Sequence, residues 1–257
     1  VMETNRGCPY RCTFCDMQGS FYQKITTFEL DRVKKEIDWA IKNEIAYIDC
    51  ADSNFGIFER DIEIAEYVAK IKEETGFPKM FNYTSAKNQP KHVEKIQQIL
   101  GEANIDRGIS VALQSLNPST LTAIKRWNKT SEETDKTIQK YKDNKLECYV
   151  ELILGLPNES KDSWLQGINH LLNNGFENAL LIHPLSIVPN TPFANIDYQQ
   201  EYSLSYTKTR SPAQGFCYGT ESPEERETIC HSSSTMTTDD WVESYIYGKC
   251  IVGAQFY

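Results

Sequence analysis

The sequence predicts an α/β fold in which helices pack outside a parallel sheet. Short apolar segments typical of buried strands alternate six times with amphipathic helical segments over roughly 190 residues. The connections are short, which favours right-handed crossovers. Polar or glycine-containing segments follow the strands, where α/β proteins bind ligands. The alternation does not distinguish an open six-unit barrel from a doubly wound sheet.

The first half of the chain begins with a strand-like segment at residues 1–4. Thr26 and Glu29 have capping-box spacing, and apolar residues then recur on one helical face. A buried strand ends at Cys50 and is followed by a polar loop at residues 51–56. The remaining elements of this half are a helix ending at Gly76, a strand at 80–85, a helix opening at Pro90 and a strand at 108–113.

The second half continues the alternation and then changes character. Its elements are helices at 117–126 and 130–144, a strand at 147–154, a helix around 164–172 and a strand beginning at Ala179. From residue 196 the chain is dense in Tyr, Ser and Thr, which predicts a core of residues 1–195 and a C-terminal α+β extension of residues 196–257. We expect both ends to be truncated, because the chain starts inside a strand without Met and stops in mid-pattern.

Composition excludes several classes of protein. A net charge of −9 argues against nucleic acid as a partner, since neutralising phosphates needs a basic face. No apolar run approaches the ~20 residues of a membrane span, and no signal peptide is visible. Of the eight cysteines, the five that follow the first three are dispersed along the chain, unlike those of a secreted disulfide framework. We therefore expect a cytoplasmic protein.

Three cysteines near the start form the most informative motif. Cys8, Cys12 and Cys15 have the spacing C-x-x-x-C-x-x-C, with the aromatic Phe14 before the last. Thiolates bind iron and zinc, and tetrahedral zinc needs a fourth nearby ligand, which is missing until Cys50. A 4Fe–4S cluster with one open iron needs only three. We favour the cluster over a zinc site.

The later cysteines do not repeat this pattern. They are Cys217, Cys230 and Cys250, and none forms a C-x-x-C unit. We expect buried thiols there. An additional cluster is the alternative.

The run Arg6-Gly7-Cys8-Pro9-Tyr10-Arg11-Cys12-Thr13-Phe14-Cys15 resembles the cluster loop of the radical S-adenosylmethionine (SAM) superfamily. The resemblance implies a partial (β/α)6 TIM-like barrel. It implies that the three thiolates hold a 4Fe–4S cluster whose fourth iron binds SAM, and that Phe14 lies against this cofactor. It further implies that an electron from the cluster cleaves SAM to a deoxyadenosyl radical, which abstracts hydrogen from a substrate.

Two residues near the fourth barrel strand are candidates for binding SAM. Arg126 can pair bidentately with the carboxylate of SAM, and related sequences carry an Arg after this strand. Its alternative is a solvated helix charge. Gln114 ends the strand and could bond ribose or methionine groups, although a simple strand-end turn explains it equally well.

Two further segments match family motifs with departures. The run from Gly155 through Pro157 resembles the family's Gly-Leu-Pro-Gly-Glu-Thr turn and is a candidate for contact with adenine. Asn158 replaces the second Gly there, so the local turn could differ. Asp52 and Asn54 occupy a place where many members have Gly-Gly-Glu, which makes them candidates for the methionine amine.

The Gln-Ser and Gly-Leu-Pro stretches also resemble the subgroup with an N-terminal cobalamin domain. That resemblance implies cobalamin as a further cofactor, bound mainly by a domain missing before Val1, and methyl transfer to unactivated carbon. The alternatives are a cobalamin-independent peptide- or RNA-modifying enzyme (a cyclase, epimerase or methylthiotransferase) and a non-catalytic zinc module. The expected partners are a reductant such as flavodoxin or ferredoxin and a small-molecule or peptide substrate.

Overall fold

The computed structural model describes residues 1–18, 23–87, 90–210 and 226–254. The strands are β1 (Asn5–Arg6), β2 (Thr26–Thr27), β3 (Tyr47–Phe55), β4 (Met80–Ser85), β5 (Ile109–Gln114), β6 (Cys148–Leu154), β7 (Leu180–Pro184), β8 (Ser205–Arg210) and β9 (Arg226–Ser232). The helices are α1 (Leu30–Lys42), α2 (Arg60–Thr75), α3 (Pro90–Glu102), α4 (Pro118–Ala123), α5 (Ser131–Asp143), α6 (Lys161–Asn173), α7 (Ile196–Glu201) and α8 (Thr238–Ala254). The alternation of strand and helix confirms the predicted α/β class.

The described strands fall into four hydrogen-bonded groups. β3 pairs with β4 in parallel, and β5, β6 and β7 form a sheet in that order. β1 and β2 pair antiparallel, as do β8 and β9. The chain divides into two compact units. The first comprises Val1–Pro9, Ser20–Ala112 and Glu132–Val150, and the second comprises Tyr10–Gly19, Leu113–Ser131 and Glu151–Tyr257.

The core of the first unit lies around β3 and β4. The rings of Phe55, Phe81 and Tyr83 pack together, with centroids 5.3 Å apart for Phe55–Tyr83 and 5.7 Å for Phe55–Phe81. The first three long helices bury their apolar faces in the same cluster, including Ile37 and Ile64. This packing holds β3, the strand that carries Asp52 and Asn54, in a fixed position.

The start of the first unit differs from the sequence prediction in three ways. Met2 forms only an isolated parallel bridge to Cys50, so residues 1–4 are not a full strand. Thr26 belongs to β2 and pairs with Arg6, and Glu29 makes no side-chain capping bond, so the capping box is wrong. The segment predicted as a polar loop after Cys50 is instead the second half of β3.

The core of the second unit gathers residues from distant parts of the sequence. Ile124, Leu156 and Phe193 are fully buried in one cluster, with Phe14 packed against it. The Tyr198 ring lies between those of Phe193 and Tyr202, with centroids 4.9 Å from each. The second unit therefore contains both the latter part of the cysteine loop and residues from the C-terminal segment.

None of the helices in the described residues is both long and apolar enough to cross a bilayer.

Candidate active site

The first cysteine lies in the first unit, where an amide side chain contacts it. Cys8 follows β1 and is half-buried. The Nδ2 of Asn54, near the end of β3, donates to its Sγ at 3.3 Å. Asn54 is only 2% exposed, and its Oδ1 is buried without a hydrogen-bond partner in the described residues. A buried acceptor of this kind fits a donor from a bound molecule.

Asp52 ties the same strand to the segment that leads into the cysteine loop. Its Oδ1 accepts from the backbone N–H groups of Thr4 (2.8 Å) and Asn5 (3.2 Å), and its Oδ2 accepts from Asn5 Nδ2 at 2.7 Å and from the Thr4 hydroxyl. Burial raises the pKa of Asp52, while these hydrogen bonds lower it. Both oxygens therefore already have protein donors, and contact of Asp52 with the SAM amine stays a prediction.

The other two cysteines lie in the second unit, on a compact turn. The N–H of Cys15 donates to the carbonyl of Cys12 at 3.1 Å. Arg126 is 7% exposed, and its Nη1 donates to Cys12 Sγ at 3.6 Å. Its Nε donates to Asn128 Oδ1 at 3.0 Å, so Arg126 is not a solvated helix charge. Its pairing with the carboxylate of SAM stays a prediction.

A residue from the C-terminal segment supports this turn. The N–H of Thr13 donates to the Ile124 carbonyl at 3.0 Å, and the Thr13 and Tyr198 hydroxyls lie 3.3 Å apart. The Tyr198 hydroxyl also donates to the Ala123 carbonyl at 3.2 Å. Because Thr13 stands between Cys12 and Phe14, these bonds fix the backbone that carries them. Nothing in the local sequence pattern pointed to Tyr198.

Gln114 closes β5 in a conformation unusual for its residue type. Its φ is +69°, in the left-handed region, and it is 7% exposed. The Nδ2 of Asn128 donates to the carbonyl of Leu113 at 2.7 Å, which supports the strand just before it. Backbone strain of this kind concentrates at functional sites. The role of Gln114 toward SAM stays a prediction.

In the Gly155–Pro157 turn, Gly155 lies close to Cys230 and Trp241. Gly155 has φ +97°, and a Cβ there would lie 3.1 Å from both the Cys230 carbonyl oxygen and Trp241 Nε1. Asn158 takes φ +61°, the left-handed conformation that a glycine would adopt easily. Asn158, which stands at the place of the family's second Gly, therefore has a left-handed backbone. Contact of Gly155 and Pro157 with adenine stays a prediction.

Glu159 is a buried acid with no role predicted from the sequence. It is 1% exposed, and its carboxylate accepts from the hydroxyls of Ser115 and Ser163. Burial raises its pKa, and the two serine hydrogen bonds lower it. Ser115 Oγ also accepts from the N–H of Asn117 at 3.0 Å, so the carboxylate ties the turn after β5 to the turn after β6. Its position in the Gly-Leu-Pro-x-Glu run is the sequence feature that could have identified Glu159.

The donor set matches an iron–sulfur cluster in its chemistry. None of the seven cysteines in the described residues is in a disulfide, and two buried nitrogen donors point at sulfurs of the triplet. Across the described residues, no three His, Cys, Asp or Glu side chains are grouped to hold a metal ion. The cluster assignment therefore rests on the cysteine spacing and on these sulfur contacts.

The later cysteines do not share this environment. Cys230 is fully buried, and burial raises its pKa to about 11, as expected for an inert thiol. Cys250 is exposed, which contradicts the expectation of a buried thiol there. Cys217 lies outside the described residues.

Comparison with known proteins gives a family match over more than half of the chain. The model of the radical SAM superfamily matches residues 2–171. Cobalamin-dependent radical SAM methyltransferase TokK from Streptomyces tokunonensis is 33% identical over 98% of this chain. The 2-(S-pantetheinyl)-carbapenam-3-carboxylate methyltransferase of Streptantibioticus cattleyicolor is 34% identical over 98% of it. The chain spans 37% of the length of each of these relatives.

Solved structures agree in fold. The radical SAM methyltransferase TsrM from Kitasatospora setae, solved with cobalamin and a [4Fe-4S] cluster, covers 99% of this chain with a TM-score of 0.66 at 16% identity. The match involves 50% of the TsrM chain. With the family match over residues 2–171, which includes the whole cysteine motif, these findings show that the chain belongs to the radical SAM superfamily.

Proposed function

We propose that this chain is the core of a radical SAM enzyme that starts radical chemistry on an unactivated C–H bond and carries out cobalamin-dependent methyl transfer. The observation that carries the proposal is the cysteine triplet inside the family match, with Asn54 and Arg126 directed at two of its sulfurs. When bound, the cluster would supply the electron that cleaves the sulfonium of SAM.

The residues of this chain would have separate roles in binding the cluster and SAM. Cys8, Cys12 and Cys15 would ligate three irons as thiolates. Arg126 would bind the carboxylate of SAM, since its guanidinium is buried and already directed toward Cys12. Asn54 would accept from the SAM amine through its unpartnered Oδ1.

The remaining candidates would line the nucleoside part of the site. Gln114 would bond the ribose or methionine groups, while Phe14 and the Gly155–Pro157 turn would exclude water around adenine. The partial (β/α)6 barrel of residues 1–195, with residues 196–257 as an extension, is the arrangement we propose for this site. The fold likeness to TsrM supports it.

Methyl transfer and cobalamin rest on the relatives. TokK is named a cobalamin-dependent methyltransferase, and the S. cattleyicolor relative is named for a small carbapenam carboxylate. We therefore place a small carboxylate-bearing molecule first among substrate classes, ahead of a peptide. A flavodoxin or ferredoxin would serve as reductant in a reducing cytoplasm, where thiols persist.

The test is anaerobic reconstitution with iron and sulfide, followed by incubation with SAM, a reductant and methylcobalamin. We expect 5′-deoxyadenosine, measured by mass spectrometry, in the wild type. The variants Cys8→Ala, Cys12→Ala and Cys15→Ala should each produce at least about 100-fold less, because loss of one ligand removes the open-iron cluster.

Cys250→Ala is the matched control, because this exposed thiol lies outside the motif. It should match the wild type. An intact cluster that releases no deoxyadenosine, or bound zinc without acid-labile sulfide, would overturn the proposal. Production of S-adenosylhomocysteine that depends on added cobalamin tests methyl transfer separately.

A further inference from the structure

We propose that Asn54 is a positioning residue that donates a hydrogen bond to the Cys8 thiolate and thereby raises the reduction potential of the cluster. The inference rests on the cluster of the proposed function. It assigns to the Asn54 side chain a second task, directed at sulfur and separate from any contact with SAM.

The geometry places the amide nitrogen against the sulfur. Nδ2 lies 3.3 Å from Cys8 Sγ, and the Asn54 side chain is 2% exposed, so the donor is shielded from water. The other atom of the amide, Oδ1, has no partner in the described part of the chain. A thiolate carries no proton, so only the NH2 edge of the amide can face it favourably.

The backbone around this contact is held independently of it. Asp52, two residues before Asn54 on β3, binds both the Thr4 and Asn5 N–H groups just before the cysteine loop. Strand and loop are therefore linked through Asp52, and the Asn54 amide reaches Cys8 from a fixed position. A carboxylate in place of this amide would present no proton to the sulfur when ionised.

A donor at this position changes the energetics of reduction. Reduction adds one negative charge to the cluster and its thiolates, and a hydrogen bond to sulfur stabilises the more negative state more strongly. The potential is therefore higher with the amide than without it. Removing the N–H should make the cluster harder to reduce without removing a ligand.

The experiment compares Asn54→Leu with the wild type by redox titration of the reconstituted cluster, followed by electron paramagnetic resonance without SAM. Leu has a similar size and no donor. We expect a roughly tenfold lower ratio of reduced to oxidised cluster at a fixed potential, equivalent to a midpoint about 59 mV more negative for one electron. Iron and sulfide content should equal those of the wild type.

Two further variants distinguish a change in reduction potential caused by the lost hydrogen bond from one caused by a change in structure. Asn82→Leu makes the same change on the neighbouring strand β4, where the Asn82 Nδ2 donates to Asp49 Oδ1 at 2.7 Å, and should leave the midpoint unchanged. Asn54→Gln retains an amide donor and should recover at least part of the shift. A wild-type midpoint in Asn54→Leu would overturn the inference and leave the proposed function intact. Failure of the wild type to bind any cluster would instead overturn the proposed function.

A wild-type measurement decides the case in which Asn54→Leu binds no cluster. Protein labelled with ¹⁵N-asparagine should show a weak nitrogen coupling to the reduced cluster in pulsed electron paramagnetic resonance. Absence of that coupling would also overturn the inference.

Discussion

At the residue scale, the buried carboxyl group of Asp61 binds the backbone of the turn before α2. Asp61, at the start of α2, is 1% exposed, and its Oδ2 accepts from the N–H groups of Gly56 (2.8 Å) and Phe58 (3.1 Å). Its Oδ1 is buried with no partner in the described residues. Burial raises its pKa from 3.8 to about 6, although the two backbone bonds lower it.

The raised pKa of Asp61 predicts how stability depends on pH. The folded protein holds this proton more tightly than the unfolded chain does. The resulting stabilisation of the folded state is fully present below pH 3.8 and is lost as the pH rises through about 6. Asp61→Asn keeps a neutral side chain and an acceptor at every pH. The free energy of unfolding of Asp61→Asn relative to wild type should therefore rise by about 2 kcal/mol from pH 4 to pH 7.

Urea unfolding at a series of pH values measures this difference. Asp31→Asn on α1 is the control, because Asp31 is exposed and no comparable change is expected there. A constant difference between Asp61→Asn and wild type across this range would contradict the prediction.

At the element scale, contacts between residues far apart in the sequence explain where predictions from local patterns were wrong. Thr26 has capping-box spacing with Glu29, but its backbone pairs with Arg6, which only the folded chain brings near. β3 continues past Cys50, where the N–H of Ala51 donates to the Met2 carbonyl and the Asp52 carboxylate accepts from the N–H groups of Thr4 and Asn5. All six residues of β8 are exposed, so that strand has no apolar alternation to reveal it. The helices with strong apolar faces, such as α1, were predicted well.

The turn after β6 gives a prediction at this scale. Gly155→Ala would place a Cβ 3.1 Å from the Cys230 carbonyl oxygen, and its φ of +97° is one that Ala rarely adopts. We expect a loss of about 2 kcal/mol or more in the free energy of unfolding. Gly253→Ala in α8 is the matched control, because a Cβ there meets nothing within 4 Å. Equal stability of the two variants in urea titrations would show that the turn tolerates a side chain.

At the scale of the whole molecule, residues far apart in sequence combine in each unit. The cysteine spacing and the Gly155 turn are local motifs that are visible in the sequence, whereas Arg126 was singled out by its place after the fourth barrel strand. The support from Tyr198 to Thr13 could not be predicted, since it joins positions 185 residues apart through side-chain hydroxyls. The C-terminal segment of the second unit therefore contributes to the backbone that carries Cys12.

This link predicts a remote effect on metal retention. Tyr198→Phe removes the hydroxyl bonds to Thr13 and Ala123 and keeps the ring packed against Phe193. We expect about 1 kcal/mol lower stability, and faster removal of iron from the reconstituted protein by a chelator. Tyr202→Phe removes a hydroxyl from the adjacent ring and should leave the rate of iron release unchanged. Equal rates in Tyr198→Phe and wild type would refute this role.

The hydrogen bonds of Asp52 also have a consequence for sequence variation at this position. One carboxylate satisfies two backbone donors and two side-chain donors on Thr4 and Asn5, so loss of the carboxylate at position 52 leaves these buried donors without their acceptor. Natural variants that replace Asp52 should therefore be rare unless positions 4 and 5 change with it. Descendants of this sequence that drift at position 52 are expected to show compensating changes at positions 4 and 5.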